Sequence, residues 1–202
     1  MGRSLKRRSR QKNLRTTILI VCGGEQTEAN YFKSFPVDTR VVNVNVKAYA
    51  KDPRKLVDYA IKHHDEQTKT GTPYNQVWCV FDKDEFTADH FNTAVRYAEQ
   101  NRIRVAYSNQ SFELWYCLHF SYIESALHRD QYCRKLADQL GQYEKNDPDM
   151  YNKLKSSQKK ALAAAQRLYA KSAHMPPACQ DPVTLVYRLV EKLGEFIKQK
   201  DA

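Results

Sequence analysis

The stretch Val77-Trp78-Cys79-Val80-Phe81-Asp82-Lys83-Asp84-Glu85 decides how the rest of the chain is read. Its consecutive apolar residues, lying between Pro73 upstream and charges downstream, suit a strand buried on both faces. If the backbone stays extended beyond Phe81, alternation puts Asp82 and Asp84 on one side, about 6–7 Å apart along the strand. Two carboxylates so placed repel unless a cation lies between them. Hard ions that prefer oxygen, Mg²⁺ or Mn²⁺, answer that description. The other reading is a strand that ends in solvated loop charges, and a bare Asp-x-Asp does not choose between the two.

Upstream, Thr17-Ile18-Leu19-Ile20-Val21-Cys22 is a second uninterrupted apolar run and a second interior strand. Gly23-Gly24 turns the chain, and a helix follows from Thr27 to Phe35, with Thr27 as N-cap and Glu28 at the positive end of its dipole. From Val41 to Tyr49, valines and Ala48 alternate with Asn43, Asn45 and Lys47, the pattern of an outer strand. Asp52-Pro53 reads as the N-cap and first residue of a helix running to Lys69. Downstream, Thr87 to Asn101 is an amphipathic helix with Phe91, Ala94, Val95 and Ala98 on one stripe. Ile103 to Ser108 is a fourth strand, again alternating.

This β-α-β-α-β-α-β order predicts an α/β fold, TOPRIM- or Rossmann-like, on a mainly parallel four-stranded sheet. The apolar strands, first and third, belong inside and the alternating ones outside, which gives the order 2-1-3-4. The winding reverses between the first and third strands. Ligands of open α/β sheets bind in the crevice at such a point, beyond the carboxyl ends of the strands. There Gly23-Gly24-Glu25 faces Asp82-Lys83-Asp84.

After the fourth strand, Ser111 is placed to cap a helix whose stripe is Phe112, Trp115, Tyr116 and His119. Glu113 is the one acid in it, either a further carboxylate for the metal or a first-turn acid answering the dipole. His119 reads as a core histidine. Two helices are expected over residues 124–143 and 156–172, and a last one starting at Asp181-Pro182. The expected organisation is a basic arm (1–15), an α/β core (16–120) and a C-terminal helical extension (121–202) packed on the core as one domain.

The formal charge is +10, and Arg3, Lys6, Arg7, Arg8, Arg10, Lys12 and Arg15 supply seven of those charges, leaving +3 for the remainder. Such an arm neutralises phosphates with little discrimination, or simply solubilises the chain. The five cysteines are scattered, form no C-x-x-C pair, and fit reduced thiols in a cytoplasmic protein. No apolar run is long enough to span a membrane.

Three segments then stand together: Gly24-Glu25-Gln26-Thr27-Glu28-Ala29-Asn30-Tyr31-Phe32, Phe81-Asp82-Lys83-Asp84-Glu85-Phe86 and Asn109-Gln110-Ser111-Phe112-Glu113-Leu114-Trp115-Tyr116. With the arm before them and Asp181-Pro182-Val183-Thr184 after them, the chain resembles the RloB family over essentially its whole length. The resemblance implies a TOPRIM-like fold, the metal-binding fold of topoisomerases, primases and OLD-family nucleases. It also implies a Mg²⁺-dependent nuclease of anti-phage defence or abortive infection, with an ABC-type ATPase as partner. It assigns metal binding to Asp82 and Asp84 and matches Glu113 to the family's Phe-Glu-Leu-Trp motif. One residue departs: where the family carries its principal glutamate, this chain has Gly23. Three explanations stand: an engineered inactive form of a toxic nuclease, a degenerate binding subunit, or rescue by Glu25 one step along the loop. The competing readings are a subunit that binds an ATPase and nucleic acid without catalysis, and a glycosyltransferase using Asp-x-Asp.

Overall fold

The computed structural model describes residues 15–24, 26–49 and 52–197. Its centre is a four-stranded, all-parallel sheet of β1 (Thr16–Cys22), β2 (Val42–Ala48), β3 (Gln76–Asp82) and β4 (Arg104–Ser108), in the order β2-β1-β3-β4. This is the order expected from periodicity, and the reason is solvent. Ile18 to Cys22 and Val77 to Phe81 are buried at every position, whereas Asn43 and Lys47 of β2 and Arg104 of β4 reach water at the margins. The register aligns Cys22 with Val80 and Asp82 with Ser108, so the loops after β1, β3 and β4 leave the sheet at one end.

Helices α1 (Thr27–Lys33), α2 (Pro53–Lys69) and α3 (Ala88–Gln100) connect the strands. Asp52 caps α2 by accepting from the Lys55 N–H at 2.9 Å, and Thr87 caps α3 through the His90 N–H at 3.3 Å. Then come α4 (Glu113–Cys117), α5 (Arg129–Leu140), α6 (Met150–Leu154), α7 (Gln158–Ser172) and α8 (Val186–Gly194). The helix expected over 124–143 is thus shorter and stops at Gly141, whose φ of 75° is the left-handed conformation that closes a helix without a Cβ penalty.

One aromatic cluster joins the sheet's helices to the C-terminal ones. Tyr31 on α1 holds Phe32, Phe35, Phe112, Tyr116 and Tyr151 at centroid distances of 5.4 to 5.8 Å, and all six are buried. Burial of each such ring stabilises by about 1.5–3 kcal/mol, with edge-on pairing adding to it. His119 lies buried in the core, its Nδ1 donating to the Trp115 carbonyl at 3.0 Å, as a core histidine should.

Three local expectations are corrected. Thr27 is not an N-cap: Gln26 holds that place without a side-chain bond, and the Thr27 hydroxyl reaches the loop after α5 instead. Ser111 does not cap α4, whose N-cap is Phe112. Asp181-Pro182, a cis peptide, does not start a helix. The next residues pair antiparallel with the open edge of β4: Asn109 N–H donates to Val183 O (2.8 Å) and Leu185 N–H to Tyr107 O (2.7 Å). Those groups would otherwise go unpaired at a sheet edge, and α8 begins only at Val186 once they are satisfied.

Candidate functional site

The loops at the carboxyl end of the sheet and the start of the helical extension enclose a cleft of about 440 Å³. Asp82, the last residue of β3, stands at its floor. Its Oδ2 accepts the Phe112 N–H at 3.1 Å, while Oδ1 is buried and has no hydrogen-bond partner among the described residues. Burial, followed by the nearby charges of Glu28 and Glu113, pushes the Asp82 carboxyl well above the ordinary carboxylate range. The Phe112 N–H and the Lys145 ammonium pull it partly back.

Glu28 and Glu113 are the acids closest to Asp82 in effect, and both are buried. Glu28 shares the buried face of α1 with Tyr31 and Phe32, and its carboxylate lies over Gly24. A Cβ at position 24 would stand 2.7 Å from the Glu28 Cδ, so glycine is what leaves room for the acid. Glu113 opens α4 and accepts from the Tyr143 hydroxyl at 3.0 Å; burial first, and then the charge of Glu113, push the Tyr143 phenol upward.

Asp84 is not placed by strand alternation. β3 ends at Asp82, and Asp84 sits in a turn with φ of 48°. It still borders the cleft, but its carboxylate is ion-paired with Arg129, the first residue of α5. The extended-backbone argument fails here because the chain must turn towards α3 at once, and aspartate tolerates the left-handed region better than most residues. Lys83 folds back, its Nζ donating to Phe86 O at 3.4 Å.

A side chain at Gly23 would meet Phe81 Cβ at 3.2 Å and both Leu56 Cδ1 and Val80 O at 3.4 Å, a tight fit that needs a small shift of its neighbours. Glu25 and the arm bases Arg3, Lys6, Arg7, Arg8, Arg10 and Lys12 lie outside the described residues. Arg15 lies inside them, exposed, and borders a second hollow with Lys33 and Lys47 beside β2.

Among the described residues no three His, Cys, Asp or Glu side chains are disposed to hold one metal ion, and no helix is long and apolar enough to cross a membrane. The five cysteines are free, with Cys22, Cys79 and Cys117 buried.

The model of the family described as RloB-like protein matches residues 18–193. The chain belongs to the RloB-like family. The matched region runs from within β1 to the last turn of α8, so every described residue of the cleft falls within it. No curated protein and no solved structure matches the chain.

In this RloB-like chain, the motifs locate Asp82, Asp84 and Glu113, the departure from the family's glutamate locates Gly23, and the fold brings all four to one cleft. Glu28 reads in sequence as an ordinary first-turn acid. The signal for its burial is that Tyr31 and Phe32, three and four residues on, share its helix face. Arg129, Tyr143 and Lys145 carry no such signal, since the packing of α5 against α4 is what brings them to the site.

Proposed function

We propose that this RloB-like chain is a TOPRIM-type nuclease, dependent on Mg²⁺ or Mn²⁺, that cuts phosphodiesters and works with an ABC-type ATPase in anti-phage defence. The setting and the partner rest on what the resemblance to the RloB family implies. The chemistry is supported above all by one observation: a carboxylate at the end of an interior strand keeps an unpartnered oxygen buried beside two further acids.

That donor set fits a hard divalent ion. Mg²⁺ takes one or two carboxylates and completes its octahedron with water and substrate phosphate, so three protein ligands are not required. Asp82 would hold the ion through Oδ1, with Asp84, Glu28 or Glu113 as the second carboxylate. A bound ion supplies positive charge that polarises the scissile phosphate.

The chain's own residues do the rest. The Phe112 N–H fixes the Asp82 carboxylate in one rotamer, and the Tyr143 hydroxyl does the same for Glu113. Lys145 offers an exposed ammonium at the cleft rim for a phosphate. In a cleft where Glu28, Asp82, Asp84, Glu113 and Asp130 outnumber Arg129 and Lys145, a polyanion enters only after cations neutralise the acids.

Gly23 favours a second reading, a non-catalytic subunit that holds the ATPase and nucleic acid. Loss of an acid/base group costs about 10²–10⁴ in rate, so the chain with Gly23 is expected to be slow. The test combines Mn²⁺ and Mg²⁺ titration, read by melting temperature, with cleavage of labelled DNA and RNA. Metal should stabilise the chain and not Asp82→Ala, and Gly23→Glu should raise cleavage that Asp82→Ala abolishes. Cleavage unaltered by EDTA rules out the metal mechanism. No cleavage from either form, with the ATPase still retained, leaves the second reading.

A further inference from the structure

Arg129 is the only guanidinium bordering the cleft among the described residues, and it comes from the helical extension rather than from the sheet. As the first residue of α5 it stands at the positive end of a helix, where a cation is disfavoured. Its ion pair with Asp84 is therefore not explained by the helix. The two side chains are 31% and 34% exposed, so the pair is neither fully wet nor sealed, and either partner can be drawn away. Asp84 itself is kept in the left-handed region, φ 48°, a conformation that holds its carboxylate over the cleft rim and away from the strand direction.

The planar fork of a guanidinium fits a carboxylate or a phosphate, since either can accept two parallel N–H bonds. We propose that Arg129 is the cleft's substrate-phosphate contact, held by Asp84 until a divalent cation takes that carboxylate. This rests on the reading of the cleft as a metal site. Asp84 cannot give its full charge to both partners, so cation binding releases Arg129. By reciprocity, Arg129 weakens cation binding by the same factor. The released guanidinium then borders a cleft in which the cation offsets part of the acids' charge, and an entering substrate phosphate can accept its fork. Nucleic acid binding at the cleft thereby follows metal binding, and the arm's salt-dependent attraction stays independent of it.

The experiment uses the full chain, with Arg129→Gln and Asp82→Asn beside it. Mn²⁺ affinity is measured by calorimetry, and affinity for a fluorescein-labelled DNA and its RNA counterpart by anisotropy, with and without Mn²⁺. Arg129→Gln is expected to bind Mn²⁺ about tenfold more tightly than the natural chain, a coupling of ordinary size. It is also expected to lose the gain in nucleic acid affinity that Mn²⁺ confers on the natural chain, while matching it without metal. Circular dichroism on both variants confirms the fold. Should Asp82→Asn weaken Mn²⁺ while Arg129→Gln changes neither affinity, or only one, the inference is overturned and the metal site stands. Should Asp82→Asn leave Mn²⁺ affinity unchanged, the metal site fails and the inference with it.

Discussion

The main-chain N–H of Phe112 holds Asp82 Oδ2 at 3.1 Å and leaves Oδ1 buried without a partner among the described residues. A loop that begins α4 thus fixes an acid that ends β3, and the fixed acid is crowded by Glu28 and Glu113. Burial and crowding make the folded chain keep the Asp82 proton to higher pH than the unfolded chain does. The stability this contributes is fully present below the ordinary carboxylate value, about 3.9, and is lost as pH rises through the raised folded value. Asp82→Asn removes the charge and keeps an oxygen for Phe112. It should therefore melt higher than the natural chain at pH 7 in EDTA, by about 3 °C or more, at a rate of about 2–4 °C per kcal/mol for this length. The gap should shrink towards pH 4. Melting curves across that range decide it, and a gap independent of pH would show that Asp82 is not the strained group.

Gly24 matters through what it lacks. A Cβ there meets the Glu28 carboxylate, whose Cδ would be only 2.7 Å away, and the flexible acid rather than the backbone would give way. Gly24→Ala should fold normally and move Glu28 off Asp82. If the two acids act together on a cation, Mn²⁺ affinity should fall about tenfold, the size of effect seen when a supporting group of a metal site is displaced. Calorimetry on a variant with unchanged circular dichroism measures this, and equal affinity would remove Glu28 from the site.

Hydrophobic pattern made the sheet readable. Ile18 to Cys22 and Val77 to Phe81 can only be interior strands, and Asn43, Asn45 and Lys47 mark β2 as marginal. Short motifs made the site partly readable, because Gly23, Asp82 and Glu113 lie at strand ends or just after them. Two things stayed hidden. Asp84 was legible as a residue of the site, but its turn was not, because a left-handed conformation at an aspartate leaves no hydrophobic trace. Arg129, Tyr143 and Lys145 required knowing how α5 docks, which depends on long-range packing of rings such as Tyr31, Tyr116 and Tyr151. Val183 to Leu185 illustrates the same limit, since an unfilled sheet edge overrode a good helix start.

His119 carries a second pH effect, of opposite sign. It is buried, its Nε2 has no partner among the described residues, and burial lowers its pKa to about 4 from 6.5. The folded chain therefore keeps the ring neutral while the unfolded chain takes up a proton, and stability is lost as pH falls from about 6.5 towards 4. The loss over that span is about 3 kcal/mol. His119→Leu should flatten the acid limb of the stability profile by that amount, whatever its effect at pH 7. Urea unfolding at pH 7, 5.5 and 4 would reveal it, and an unchanged slope would mean the ring is solvated.

The loop that carries Lys145 is tied to α1 by the Thr27 hydroxyl and the Asn30 amide. Thr27 Oγ1 donates to the Lys145 carbonyl at 2.8 Å, with Asn146 Oδ1 at 2.9 Å, and Asn30 Nδ2 donates to the Asn146 carbonyl at 3.0 Å. Thr27→Val keeps the shape and deletes the donor, leaving a part-buried carbonyl unsatisfied at a cost of about 1–2 kcal/mol. Thr27→Ser keeps the donor and should cost less. If the tether also sets Lys145 over the cleft, Thr27→Val should weaken nucleic acid binding measured with Mn²⁺ present, and Thr27→Ser should not. Pairing chemical denaturation with anisotropy separates the two consequences. A drop in stability without a change in binding would make Thr27 a structural tie and nothing more.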